Sequence, residues 1–233
     1  MKKAVFLLVI VIFVVSAVLG FQAAARLSSA QSSQTQSNQG LPVASSQTNY
    51  LLVHVNDLSI EKPQLVSIWG LFVLYSSPPQ VMLIPLFPTY NEATSTTLES
   101  TFRKSKEGQI SSRFITEIEK SYQISTSGYI IVDNIGLSFF NKWLTGDEIQ
   151  ISAVTPHTSD EKHIVLYNGQ QFFTTACEQF SRTGVKHLID QIRWADLLPS
   201  HFSTNLSFES LALAEDYFNS AGEIDQCTVL SNE

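Results

Sequence analysis

YLLVHVNDLSIEKPQLVSIWGLFVLYSSPPQVMLIPLFPTY, residues Tyr50–Tyr90, reads as three strands: Tyr50–Val55, Val66–Tyr75 and Gln80–Phe87. The second and third are apolar almost throughout and are separated by Ser76-Ser77-Pro78-Pro79. That pattern predicts central strands covered on both faces and joined by a short turn. The first strand runs into Asn56-Asp57-Leu58-Ser59. In open sheets flanked by helices, ligands sit at the carboxyl ends of strands, so Asp57 is the first candidate for a ligand or metal contact.

Outward from this stretch, helical and extended patterns alternate. A short helix is predicted around Ser95–Lys104, and Ser111–Gln123 places Phe114, Ile115, Ile118 and Tyr122 at helical spacing. Gly128–Asp133, GYIIVD, is a compact strand, Ile135–Leu144 a helix with Gly146 as its cap, and Glu148–Val154 an alternating edge strand. The last third reads as helices over Asn168–Ser181, around Val185–Ile192, and from Ser207, which buries Phe208, Leu211 and Phe218. The expected class is α/β, or α+β if the helices segregate, with a mixed central sheet and helices on both faces.

The 233 residues, 44% of them hydrophobic, suffice for one sizeable core. Lys2 and Lys3 precede an apolar run from Ala4 to Phe21. Its length suits a signal anchor over residues 1–25 with its basic end in the cytoplasm, and Ala23-Ala24-Ala25 leaves a cleaved signal peptide as the alternative. Residues 26–49 are rich in Ser and Gln and read as a flexible linker. The domain is expected over 50–220, followed by a polar tail over 221–233. It would lie outside the cytoplasmic membrane, either tethered to it or secreted. A net charge of −7 argues against nucleic acid as a partner.

Outside the cytoplasm Cys177 and Cys227 could form a disulfide that fastens the tail to the helix carrying Cys177; two unrelated thiols are the alternative. Arg103, Lys104 and Lys106 form a basic cluster, read either as a solvated helix end or as an anion site. His157 and His163 lack a third metal ligand at motif spacing. No Gly-rich phosphate loop, His-Glu-x-x-His or Gly-x-Ser-x-Gly occurs in the chain.

The order of segments resembles the LytR-CpsA-Psr family, whose extracytoplasmic domain follows a single N-terminal anchor. Where that family has Gly-x-Asp-x-Arg after its first strand, this chain has Val55, Asp57 and Ser59. Of the Arg-Ser-Asp-Thr before the second strand only Ser67 matches, and Pro88 and Thr89 stand where arginine and aspartate of Ile-Pro-Arg-Asp would be. YNGQQFFTTACEQF resembles the family helix Leu-x-Gly-x-x-Ala-Leu-x-Tyr-x-Arg through Asn168, Gly169 and Gln171, with Cys177 at the arginine. Of a later Arg-x-x-Arg-Gln only Gln191 survives, with His187 and Asp190 at the arginines.

The resemblance implies transfer of a glycopolymer from polyprenyl pyrophosphate to the cell wall, with Mg²⁺ and an arginine cluster on the pyrophosphate. Guanidinium groups grip such an anion through paired charge-assisted hydrogen bonds, and here they are replaced. The reading that follows is a degenerate, membrane-tethered member that binds a lipid-linked or wall glycan, or a partner protein. Ser67 and Gln191 join Asp57 as candidate contacts. The first alternative is an active phosphotransferase with Asp57 on Mg²⁺ and Arg103, Lys104, Lys106, Arg113 or Arg193 converging on the anion. The second is a structural module in which Asp57 only caps a turn.

Overall fold

The computed structural model describes residues 46–105, 108–146, 155–183, 197–198, 200–221, 224 and 226–231. In chain order the elements are β1 (Ser46–Val55), β2 (Leu65–Tyr75), β3 (Gln80–Phe87), α1 (Glu92–Thr101), α2 (Ser112–Tyr122), β4 (Gly128–Asp133), α3 (Asn134–Thr145), α4 (Ser159–Thr183), β5 (Phe202–Thr204), α5 (Phe208–Ala221) and β6 (Gln226–Val229). They build one mixed sheet in the order β5-β4-β1-β2-β3-β6. β1–β2, β2–β3 and β4–β5 are antiparallel, whereas β1–β4 and β3–β6 are parallel. The fold class is therefore the expected one.

Strand alternation assigns two faces. Leu51, Val53 and Val55 of β1, Ile68 of β2 and Ile131 of β4 pack with Leu98 and Phe102 from α1 and its cap and with Phe114 and Ile118 of α2. All but Phe102 of this set are fully buried. The opposite face carries Trp69 and Leu83, joined by Leu52, Leu71, Val81, Phe173, Cys177, Cys227 and Val229. Phe173 and Cys177 belong to α4, so this helix covers the second face, and the Trp69 and Phe173 rings lie 4.9 Å apart.

Local chemistry explains most element ends. Asn91 caps α1, and Ser111 caps α2, each side chain accepting from the backbone N–H three residues on. Asp133 caps α3 in the same way, and Gly146 closes it in the left-handed region at φ 79°. Ser207 accepts from Ser210 N at 3.1 Å and starts α5.

Several expectations need correction. β1 begins at Ser46, inside the stretch read as linker, and Asn49 Nδ2 donates to Ser125 O there. α1 ends at Thr101, so Lys104 lies beyond it, in a bridge to Ile110. α4 starts at Ser159, well before Asn168. The cause is a reciprocal cap: Glu161 N donates to Thr158 Oγ1, while Glu161 Oε2 accepts from Thr158 N at 2.8 Å and His157 N at 3.0 Å. Leu211 is 42% exposed rather than buried. The polar tail is not outside the fold, because β6 pairs with β3. The expected anchor, the strand Glu148–Val154 and the helix around Val185–Ile192 lie outside the described residues. Among the described residues no helix is long and apolar enough to cross a membrane.

Candidate functional site

Parallel pairing sets Val55 of β1 beside Asp133 of β4, so the Asn56–Ser59 loop and the start of α3 share one end of the sheet. A polar network joins them. Asp133 is 1% exposed. Its Oδ1 accepts from Gly136 N at 2.9 Å, and its Oδ2 accepts from Leu58 N at 3.2 Å and His201 Nδ1 at 2.9 Å. Asn134 Nδ2 donates to Asn56 O at 2.7 Å, so its Oδ1, 2.8 Å from His54 Nε2, is an acceptor. His54 is thereby fixed as the Nε2–H tautomer, with Nδ1 left as an acceptor.

Behind this network, on the face covered by α4, lies a cavity of about 480 Å³. Its floor includes Leu52, His54, Ser67, Trp69 and Val132 from the sheet; its roof is Leu137, Asn141 and Thr145 of α3 and residues of α4 from Val165 to Thr175. Asn168, Gly169, Gln171, Phe172 and Phe173, the stretch carrying part of the family resemblance, are all in that roof. Gly169 permits the close approach, since a Cβ there would stand 2.8 Å from Trp69 Cζ2. Trp69 Nε1 is buried with no hydrogen-bond partner among the described residues.

The candidates from sequence separate. Ser67 lines the cavity directly opposite His54 across the β1–β2 pair. Asp57 does not line it. Its Oδ1 accepts from Ser59 N at 2.8 Å and Ser59 Oγ at 2.7 Å, which closes an Asx turn. Those two hydrogen bonds hold the Asp57 carboxyl below its usual range, and the charges of His201 and Lys104 act in the same direction. Lys104 Nζ donates to Leu58 O at 2.7 Å, so it stands at this loop. Arg103 and Arg113 are exposed, and the Arg103 guanidinium bonds to the carbonyl of its neighbour Phe102. Gln191, Arg193 and Lys106 lie outside the described residues. Cys177 and Cys227 are joined by a disulfide whose Cα atoms are 5.5 Å apart.

Of the carboxylates near the Asn56–Ser59 loop, the one the family resemblance offers to Mg²⁺ is Asp57, whose Oδ1 accepts from Ser59. Among the described residues no three His, Cys, Asp or Glu side chains come together. His157 and His163 are exposed and bring no third ligand.

Sequence reasoning missed His54, Asp133 and His201. The available signals were a histidine interrupting the apolar run of β1 and an Asp-Asn-x-Gly start to α3 after a strand.

Burial lowers the His54 pKa from 6.5 to about 4. The folded pKa therefore lies below the unfolded one. As pH falls through 6.5 the unfolded chain binds a proton that the folded chain refuses, so stability declines until pH 4 and then levels. This loss amounts to about 3 kcal/mol. Urea unfolding at pH 7 and pH 4 measures it, and His54→Gln, which keeps a donor for Asn134, is expected to abolish the difference attributable to this site.

No protein-family model matches the chain, and no curated protein matches its sequence. Solved structures similar to it include protein gbs0355 from Streptococcus agalactiae, at 10% identity and a TM-score of 0.49, covering 78% of this chain and 76% of the other. TagV of B. subtilis is similar at 10% identity and a TM-score of 0.48, over 80% and 85% of the two chains. TagT bound to LIIa-WTA is similar at 6% identity and a TM-score of 0.44, over 83% and 82%. Each of these likenesses is to a solved structure at 10% identity or less.

Proposed function

We propose that this chain is a cell-envelope domain of LytR-CpsA-Psr type, tethered through its N-terminal apolar segment, that binds the apolar chain of an envelope amphiphile and no longer transfers phosphoryl groups. The observation that carries this reading is the cavity over β1, β2 and β4. Val66, Val132, Leu137, Val165, Phe172 and Phe173 give it apolar surface suited to a hydrocarbon chain, beside polar groups of Asn141, Thr145, Asn168, Gln171 and Thr175.

The loss of transfer chemistry rests on the replaced arginines. Cys177, at one of their positions, is held in a disulfide with Cys227 and packed beside Trp69 and Leu83. Among the described residues the lysine bonded at the Asp57 loop is Lys104, one of whose three donors goes to the Leu58 carbonyl, and no arginine bonds there.

The test is incubation of the full chain with polyprenyl pyrophosphate and Mg²⁺, followed for release or transfer of the phosphoryl group. No turnover is expected. Turnover that Asp57→Ala abolishes would overturn the proposal and restore the phosphotransferase reading.

A further inference from the structure

The cavity floor has a chemistry of its own. His54 and Ser67 face each other in register across β1 and β2, on the same side of the sheet, and are 7% and 6% exposed. Directly opposed side chains of an antiparallel pair have Cβ atoms about 5 Å apart. The Asn56–Asn134–His54 relay fixes which His54 nitrogen carries the proton, so Nδ1 offers a lone pair. Neither Nδ1 nor Ser67 Oγ has a hydrogen-bond partner among the described residues. The floor thus presents one acceptor and one hydroxyl, which can donate or accept, side by side beneath an uncharged roof of apolar, amide and hydroxyl side chains.

Among the described residues none that lines the cavity is a lysine, arginine, aspartate or glutamate. An ionised head group would lose its hydration here and meet no opposite charge from a described residue, and burial on those terms is strongly unfavourable. An ether or a hydrocarbon would leave the His54 lone pair unmatched, because it brings no donor.

We propose that the cavity selects an uncharged long-chain alcohol, its hydroxyl donating to His54 Nδ1 and accepting from Ser67 Oγ, and that it turns away the phosphorylated form of the same chain. This rests on the cavity being the binding site of the proposed function, and it narrows the ligand to a neutral head group.

The experiment is calorimetric titration of the full chain with decan-1-ol, decyl phosphate and methyl decyl ether, which share a chain and differ at the head. The alcohol is expected to bind about tenfold more tightly than the phosphate and several-fold more tightly than the ether. Ser67→Ala should weaken the alcohol about fivefold and leave the ether unchanged. If decyl phosphate equals or exceeds the alcohol, or if alcohol and ether bind alike, the inference fails while the cavity remains a chain-binding site. If none of the three binds, the inference and the proposed function fail together.

Discussion

Replacing Cys177 and Cys227 together by serine lowers the unfolding free energy by about 4 kcal/mol, the loop-entropy expectation for a bridge closing a loop of this length. The two cysteines are 50 residues apart in sequence, so the bridge removes considerable freedom from the unfolded chain. It also fastens β6 to α4. β6 is a four-residue edge strand held to β3 by a short parallel ladder, and a strand of that length contributes little by itself. Cys227 and Val229 lie on the face of the sheet that α4 covers, packed with Trp69, Leu83 and Phe173. Cutting the bridge should therefore loosen α4 and the roof of the cavity with it. Urea unfolding with and without reductant measures the stability loss. Hydrogen exchange should show protection falling first in Gln226–Val229, and uniform loss across the sheet would contradict this account.

Why the fold was largely legible follows from its strong local signals. Pro78-Pro79 and Pro88 bracket Gln80–Phe87, and that strand was read with its observed bounds. The caps Gly146 and Ser207 were readable because a left-handed glycine or a hydroxyl satisfies groups the helix leaves unpaired. Thr158 and Glu161 carried a signal of the same kind, and passing over it placed the start of α4 too late. β6 gave almost no signal: QCTV is short and its strand character comes from the β3 edge and the disulfide.

The candidate site was less legible. Asp57 stood out because it follows a strong strand, yet its loop bonds to itself through Ser59 and Asn56. His54, Ser67, Asn134 and the α4 residues are far apart in sequence. The β1–β2 register and the β1–β4 parallel pair bring His54, Ser67 and Asn134 together, and α4 roofs the cavity beside them. Of the residues the resemblance matched, Asp57 lies at one end of the sheet, whereas Ser67, Asn168, Gly169 and Gln171 line the cavity over its face.

Asp133→Ala is expected to destabilise the chain by about 4 kcal/mol, because one substitution strands several buried donors at once. Gly136 N loses the cap of α3, Leu58 N loses the anchor of the Asn56–Ser59 loop, and His201 Nδ1 loses its acceptor. Loss of a helix cap alone costs about 1 kcal/mol, so a result near that figure would mean that the loop and His201 find other partners. Asp133→Asn separates the contributions. Its amide oxygen can still cap α3, but its NH₂ would face donors at Leu58 and His201, so a substantial part of the loss should persist. The consequence reaches the cavity through the next residue. Asn134 holds the His54 tautomer only while α3 begins where Asp133 places it, so fraying that first turn frees His54 to rotate. Asp133→Ala should then weaken decan-1-ol binding in the fraction that remains folded, with methyl decyl ether little affected. Equal weakening of both ligands would mean that the cavity walls, rather than the polar floor, depend on Asp133.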